Sequence, residues 1–430
     1  MKVLVLNQYA GNKGDRAVCW FVLRELMRNG VSDIIVSTHD RSFWREEGNQ
    51  GTMSARLVPW GWDAEGWTNA RGWRARWWWE RQRFTRKVLF PLVRDRVRLG
   101  KGLPSLCSLG SPEFVAAVRE ADLLISTGGH HLTTRFGAEC VVAQVYDLMI
   151  AHLAKKPLVL WSQTIGPFHF SNKKNEEAVR AVLNGAAQVW IRDITSVDVC
   201  RDLGVTNPNL RQTYESVVGL NDLVQDYVAP SDRDPVCGIA VYNAETRDNG
   251  DDHRYINAIA EIADRFVDQG LQVKFFPHEM KGAVINDRAF IQRIIKRMRR
   301  PHGVQMLDPD LDTPSHLRHV SQCRVFLGHK THSIVFSLTV GTPLIALSYH
   351  PKTRDFMNQY ELPQQCIDDK DLTPERVLET YARMRGQLDE IGRHQFETSR
   401  RFGESVRRDF RDMLAHQTMC ASGCPGSRAR

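Results

Sequence analysis

Short, continuous runs of apolar residues recur along the chain and alternate with longer amphipathic segments. The first run, Val3–Leu6, is followed by a polar turn over Gln8–Asp15 and a predicted helix from Arg16 to Arg28. Apolar runs without alternation are typical of parallel strands covered on both faces. On this basis the N-terminal half has further predicted strands at Ile34–Ser37, Leu123–Ser126, Leu158–Trp161 and Val189–Ile191.

The same rhythm restarts after about Pro230. Predicted strands in this half are Val236–Ala240, Val273–Phe276, Val325–Leu327 and Leu344–Leu347. Two such series predict an α/β protein with two Rossmann-like domains facing a cleft. We place the N-terminal domain at 1–225 and the C-terminal domain at 232–372, followed by charged helices over 373–415. Residues 416–430, rich in Gly, Ser and Arg, are predicted to be a disordered tail.

One segment interrupts the rhythm, between Trp60 and Arg98. Seven tryptophans and a series of arginines alternate there. Three interpretations stay open. In the first, the insert packs its tryptophans on the protein body and leaves its arginines in water. In the second, it contacts a membrane or a lipid carrier. In the third, it forms a wall on which the substrate stacks.

Composition narrows the class of protein. Apolar residues make up 42% and charged residues 25% of the 430 residues, the net charge is +8 and the pI is about 9.0. This modest basic excess fits an anionic substrate or an anionic membrane surface, and no nucleic-acid-binding module accompanies it. We expect a cytoplasmic protein, since no signal peptide or membrane span is evident and the nine cysteines show no disulfide pattern. We expect no metal site, because no metal-ligand spacing occurs.

Two glycine-bearing polar motifs of the N-terminal half follow predicted strands, at the strand ends where ligands of open α/β sheets bind. In Asn12-Lys13-Gly14-Asp15 the carboxylate of Asp15 either caps the next helix or contacts a sugar hydroxyl. In Ser126-Thr127-Gly128-Gly129-His130-His131 the glycines Gly128 and Gly129 suit a turn close to a ligand. His130 is a candidate acid or base there.

Two later motifs continue this series. Gln163 and Thr164, after the strand Leu158–Trp161, are candidates to hold acceptor hydroxyls. Arg192 ends the next strand, and its guanidinium offers a fork for carboxylate or phosphate. The neighbouring Asp193 is accounted for as a helix cap.

The sharpest motif is Gly328-His329-Lys330-Thr331-His332, which connects a strand to a helix that ends at Gly341-Thr342-Pro343. A glycine turn at a helix N-terminus is an anion site, because free N–H groups and the helix dipole point at the ligand. Lys330 adds charge, Thr331 a hydroxyl and His332 a proton. After the next strand, Tyr349 and Lys352 are further candidates, with Lys352 a second group for a donor phosphate.

Taken in order, the motifs resemble those of the polysaccharide pyruvyl transferase family. The resemblance covers roughly residues 1–360 and includes Ser162-Gln163-Thr164-Ile165-Gly166-Pro167, Ile191-Arg192-Asp193 and Phe276-Pro277-His278. It implies a fold like that of glycosyltransferase-B enzymes. It also implies transfer of the pyruvyl group of phosphoenolpyruvate onto saccharide hydroxyls as a ketal, without a required cofactor.

The resemblance also implies roles for individual residues. The family's phosphate-binding Arg-Leu-His motif matches Lys330 and His332, and its Arg-Asp motif matches Arg192. His332 becomes the first candidate acid, with Asp15 or His130 as base. His278, by its motif, joins the substrate-binding residues.

Three departures from the family pattern point to a divergent member. Lys330 replaces the family's arginine and loses its bidentate fork. His130 stands where a third glycine is common. Tyr214-Glu215-Ser216 replaces an Asp-Pro or Asp-Ala pair.

Other functions and partners remain open at this stage. The alternatives are a glycosyltransferase with a nucleotide-sugar donor, a small-molecule transferase of the same fold, and a non-catalytic carbohydrate-binding or scaffold protein. We expect a saccharide acceptor as partner, for which a lipid-linked form is an option. Peripheral contact with the inner face of the membrane and homo-oligomerisation are further options.

Overall fold

The computed structural model describes residues 1–9, 11–39, 55–62, 73–109, 111–134, 138–224, 226–243, 252–279, 286–308 and 311–421. The chain divides into two compact units. The first unit contains Met1–Ala10, Val18–Ser216 and Ser405–Arg430, and the second contains Gly11–Ala17 and Val217–Glu404. No helix among the described residues is both long and apolar enough to cross a membrane.

A parallel sheet forms the centre of the first unit. Its strands are β1 (Lys2–Gln8), β2 (Asp33–Thr38), β3 (Arg56–Pro59), β4 (Leu123–Ser126), β5 (Gly129–Leu132), β6 (Leu158–Ile165), β7 (Gln188–Ile191) and β8 (Leu210–Gln212). Within the described ranges the order is β3-β2-β1-β4-β6-β7-β8, with β5 paired to β6. Central strands are buried along their whole length, as expected for a sheet with helices on both faces.

The second unit repeats this architecture with β9 (Val236–Ala240), β10 (Gln272–Phe275), β11 (Gln305–Met306), β12 (Val325–Gly328), β13 (Leu344–Ser348) and β14 (Cys366–Asp368). The described strands follow the order β11-β10-β9-β12-β13-β14, and every pair is parallel. Each sheet therefore reverses its strand order once, between β1 and β4 in the first unit and between β9 and β12 in the second.

Helices cover the two sheets. In the first unit they include α1 (Lys13–Arg28), α2 (Trp73–Phe84) with a π-helical turn over Thr85–Leu89, α3 (Phe90–Arg98), α4 (Pro112–Glu120), α5 (Ala138–Leu153), α6 (Lys173–Gly185) and α7 (Ile194–Asp202). In the second they include α8 (Asp252–Asp268), α9 (Asp287–Ile295), α10 (Thr313–Ser321), α11 (Thr331–Thr339), α12 (Pro351–Gln359), α13 (Pro374–Met384) and the start of α14 (Leu388–Ala421).

The nine predicted strands are all present, with shifts of up to four residues at their ends. The sequence pattern missed β3, β5, β8, β11 and β14. These strands have two to four residues and lie mostly at sheet edges, where an apolar run is too short to stand out.

The unit border lies at Ser216/Val217, ahead of the predicted 225–232. Helix α14 continues to Ala421, so residues 416–421 of the predicted tail are helical, while 422–430 lie outside the described residues. The second half of α14 packs in the first unit, where Phe410 meets the buried Trp161 edge-on at 4.9 Å between ring centroids. Its neighbour Asp409 accepts a hydrogen bond from Thr213 at 2.7 Å.

Candidate functional site

The reversal of strand order in the second sheet marks a candidate ligand site. Ligands of open α/β sheets bind outside the carboxyl ends of strands at such a switch point. Here the switch lies between β9 and β12, and the segment after β12 is His329–His332 at the start of α11. The motif predicted to bind an anion therefore lies at the switch point of its own unit.

Lys330 is the N-cap residue of α11 and is buried. Its ammonium lies 2.9 Å from both carboxylate oxygens of Asp287 and 3.7 Å from Glu279. Burial opposes the charge of Lys330, but Asp287 and Glu279 outweigh it and raise the pKa of the ammonium. Lys330 therefore stays charged, and its ammonium is already paired with two buried carboxylates.

His332 lies in the first turn of α11 and is half-buried. Gly14 lies directly against its imidazole, because a Cβ added to Gly14 would overlap the ring. The motif Asn12–Asp15 thus packs with the second unit, where Asn12 donates to Glu279 at 2.7 Å. Glycine is required at position 14 because any larger side chain would displace His332.

The side chain of Asn12 caps the first turn of α1. The side-chain oxygen of Asn12 accepts the N–H of Gly14 at 2.8 Å. Asp15 is half-buried in that first turn. Both interpretations of Asp15, a further cap of this helix or a contact with a sugar hydroxyl, stay predictions.

Aromatic side chains gather at the carboxyl edge of the second sheet. Tyr242 follows β9 and Tyr349 follows β13, and their rings stack at 4.3 Å between centroids. The Tyr349 hydroxyl is 3.3 Å from that of Thr331. Below them lies the buried His329, whose Nδ1 is 2.9 Å from the hydroxyl of Tyr255. Three neighbouring strands thus bring these groups to one place.

His278 and Lys352 are both buried in the second unit. The ring of His278 stacks on Phe336 and meets His316 at 4.9 Å between centroids. Burial, with His316 and the nearby cations adding to it, lowers the pKa of His278 well below its usual value. His278 therefore lies in the core as a neutral imidazole. Lys352 lies in the first turn of α12, capped by His350.

In the first unit, the carboxyl ends of β6 and β7 carry a buried polar network. Arg192 pairs with Glu215, and its Nε donates to Thr164 at 2.9 Å. Thr164 donates in turn to Asp193 at 2.7 Å, and Asp193 caps α7 through the N–H of Ser196. The cap predicted for Asp193 is confirmed. The guanidinium of Arg192 is neutralised within its own unit.

The motif after β4 lies against the backbone of β6. A Cβ on Gly128 would meet the carbonyl oxygens of Trp161 and Ser162, and one on Gly129 would meet the ring of His131. Gln163 donates to the carbonyl of Gly129 at 3.2 Å. These glycines are therefore required for packing, whatever else they do. The backbone of His130 lies in β5, but its side chain is outside the described part of the structure.

The sequence pattern missed the three carboxylates that face the predicted cations, Asp287, Glu279 and Glu215. Asp287 lies 43 residues before Lys330 in the chain and Glu215 lies 23 residues after Arg192. Neither carboxylate belongs to a glycine motif. The departure at Tyr214-Glu215-Ser216 was the one signal in the sequence. Among the described residues, no group of three or more His, Cys, Asp or Glu is placed to hold a metal ion.

Solved structures similar to this chain place the fold in a known class. HepE from Anabaena, solved in complex with UDP-glucose, is 14% identical, with a TM-score of 0.57 over 97% of this chain and 100% of that one. UDP-GlcNAc 2-epimerase from Neisseria meningitidis is 12% identical, with a TM-score of 0.55 over 97% of this chain and 100% of that one. The glycosyltransferase-B-like fold class is therefore confirmed.

Sequence comparison is more specific. The family profile named polysaccharide pyruvyl transferase matches residues 12–351. The curated relative AmsJ, an amylovoran biosynthesis protein of Erwinia amylovora, is 20% identical over 297 residues, which are 64% of this chain and 68% of that protein. The chain belongs to the polysaccharide pyruvyl transferase family, a family of transferases, and the resemblance seen in its motifs is confirmed.

Proposed function

We propose that this protein transfers the pyruvyl group of phosphoenolpyruvate to two hydroxyls of a saccharide, forming a pyruvate ketal. The observation that carries the proposal is the placement of His332. It lies in the first turn of α11, at the switch point of the second sheet, with Gly14 against its ring. This contact brings together two family motifs, the one that contains Gly14 and the one that contains His332.

The proposed donor site is the N-terminus of α11. Its free N–H groups and dipole attract the phosphate and carboxylate of phosphoenolpyruvate. Lys330 adds positive charge beside them, although Asp287 and Glu279 share it. These two carboxylates hold the flexible lysine in one orientation, but they do not replace the absent guanidinium fork. Arg192 and Lys352 stay further candidates for the donor.

The proposed reaction moves two protons and breaks one C–O bond. His332 protonates the methylene carbon of phosphoenolpyruvate, so the central carbon becomes electrophilic. One sugar hydroxyl attacks that carbon, phosphate leaves with the bridging oxygen, and a second hydroxyl closes the ketal. The two hydroxyl hydrogens end on the new methyl group and on phosphate. Asp15 is the proposed base in the described part of the chain, and no cofactor is needed.

The acceptor is proposed to be a saccharide. The name of AmsJ places that relative in the biosynthesis of amylovoran, and HepE was solved with glucose present beside UDP. Both observations support a sugar ligand. A lipid-linked acceptor, homo-oligomerisation and a cytoplasmic location stay predictions.

Thermal shift with phosphoenolpyruvate tests the donor. At a concentration 100 times its Kd, a ligand that binds only the folded state adds about 2.7 kcal/mol of stability. We expect stabilisation of the wild type, and release of phosphate when a saccharide mixture is added. For His332→Ala we expect retained stabilisation and a turnover about 10²–10⁴-fold lower. Full turnover of His332→Ala would exclude it as the acid.

Gly14→Ala is a second test of the same geometry. The added methyl overlaps the ring of His332 and displaces it, and a shift of about 1 Å costs roughly 100-fold in rate. Gly386→Ala is the matched control, because a Cβ there meets nothing within 4 Å. If Gly14→Ala turned over like Gly386→Ala, the contact would have no bearing on catalysis.

A nucleotide-sugar donor is the second candidate. The solved relatives HepE and UDP-GlcNAc 2-epimerase were crystallised with UDP-glucose and UDP-GlcNAc, and a helix N-terminus holds a diphosphate as readily as phosphoenolpyruvate. A panel of nucleotide sugars belongs beside phosphoenolpyruvate in the thermal-shift experiment. Stabilisation by a nucleotide sugar alone would move the proposal to glycosyl transfer.

A further inference from the structure

Helix α2 exposes tryptophan, in contrast to the rest of the described chain. Trp73 is 75% exposed and Trp79 is 59% exposed. The other tryptophans with described side chains are buried or half-buried, namely Trp20, Trp60, Trp62, Trp161 and Trp190. Burial in the core does not account for two indoles with most of their surface in water. The interpretation in which the insert packs its tryptophans on the body is therefore wrong for these two.

The exposed tryptophans share one face of α2 with arginines. Trp73, Arg76, Trp79 and Arg83 are all exposed and follow one another at three or four residues, the spacing of a single helix face. We call these four residues the α2 face. Glu80 also lies on this side, 3.8 Å from Arg83, as its one acidic residue.

The charge around the α2 face is strongly positive. From Trp73 to Leu89 the sequence has six basic residues, Arg74, Arg76, Arg81, Arg83, Arg86 and Lys87, against Glu80 alone. Charge of this sign and density favours an anionic partner and disfavours a second copy of the same face, because like charges would meet.

We propose that the α2 face binds a membrane surface that contains anionic lipid. Indole rings are favoured at the level of the headgroups, where their apolar body and polar N–H are both satisfied. Arginines at the same level pair with lipid phosphates. The helix would lie in the plane of the surface. This binding does not depend on pyruvyl transfer, so either proposal can fail alone.

Vesicle flotation with the full chain tests the proposal. We expect the protein to float with vesicles of phosphatidylcholine and phosphatidylglycerol in equal parts and not with phosphatidylcholine alone. Each basic residue near an anionic surface contributes about five-fold in affinity. The double variant Arg76→Glu/Arg83→Glu should therefore lose at least about 25-fold. Trp73→Ser/Trp79→Ser should lose at least about ten-fold, because it removes the inserted apolar area.

Matched controls separate this face from general surface properties. Arg376→Glu/Arg383→Glu makes the same charge change at the same seven-residue spacing, on exposed positions of α13. Ile194→Ser/Val228→Ser removes exposed apolar side chains elsewhere, 67% and 47% exposed. We expect both controls to float like the wild type. Circular dichroism of every variant checks that the exposed changes leave the fold intact.

Three outcomes would overturn the proposal. The first is failure of the wild type to float with anionic vesicles. The second is equal loss in the control and α2-face variants, which would mean a non-specific charge effect. The third is a dimer that Trp73→Ser/Trp79→Ser dissociates without any change in flotation, which would assign the face to self-association.

Discussion

Replacement of Lys330 by methionine separates its role in stability from any role in donor binding. Methionine keeps the length of the side chain and removes the charge. Asp287 would then stay buried with no cation beside it, although the backbone N–H groups of His278 and Glu279 still donate to its carboxylate at 2.9 and 2.8 Å. Removal of one partner from a buried ion pair costs about 3–5 kcal/mol. That is a large fraction of the 5–15 kcal/mol typical of a folded domain.

A second substitution isolates the pair. In Asp287→Asn the amide oxygen can keep both N–H donors, while its NH₂ faces the ammonium of Lys330. In the double variant Lys330→Met/Asp287→Asn the ammonium is gone, so that repulsion is absent. We therefore expect Asp287→Asn to recover much of the stability lost in Lys330→Met. The double-mutant cycle should give a coupling of roughly 2–3 kcal/mol, within the range for residues in direct contact.

Denaturant unfolding followed by circular dichroism is the appropriate assay. All eleven tryptophans precede residue 191, so tryptophan emission reports on the first unit and not on the second. Lys330→Met should lower the circular dichroism transition of the second unit. A free-energy loss below about 1 kcal/mol, or a coupling near zero, would refute the view that these carboxylates engage the lysine. In that case Lys330→Met would leave the fold intact, and its effect on stabilisation by phosphoenolpyruvate would report on donor binding alone.

Three further predictions concern other buried ionisable groups. Arg192→Met leaves Glu215 unpaired and should cost about 3–5 kcal/mol, with Glu215→Gln recovering part of it in a double-mutant cycle. Burial raises the pKa of Asp147 well above its usual value. Above about pH 4 the folded state therefore holds a proton that the unfolded state has lost, so stability falls as the pH rises. Asp147→Asn should flatten this dependence of stability on pH, measured as melting curves over a pH series. Burial lowers the pKa values of His278 and His316 well below 6.5, so the unfolded state alone takes up protons under mild acid. Stability should then fall by up to about 1.4 kcal/mol per histidine per pH unit below pH 6.5, and phenylalanine at both positions should remove that loss; an unchanged pH profile would contradict the assignment.

Local signals carried a large part of the fold. The apolar runs of β1, β4, β6, β9, β12 and β13 are uninterrupted because both faces of each strand are covered. Such a run can be recognised from a short stretch of sequence alone. Edge strands such as β11, with two residues, leave no comparable pattern. The anion motif was also detectable locally, because a strand, a glycine turn and a helix start follow one another within Val325–Thr339.

The sequence alone determined the two parallel α/β sheets and the types of side chain at the strand ends, because each depends on residues close together in the chain. It also determined the family, because motifs that are each local follow one another in the family's order. Only the tertiary structure decided which charges meet. From the sequence, Lys330 and Arg192 are predicted to bind an anionic substrate. In the structure they are already paired with Asp287 and Glu215. Gly14 looks like a ligand-hugging glycine, yet it lies against His332, more than 300 residues later in the chain. Such pairings arise from folding at long range, where burial makes an unpaired charge too costly to keep.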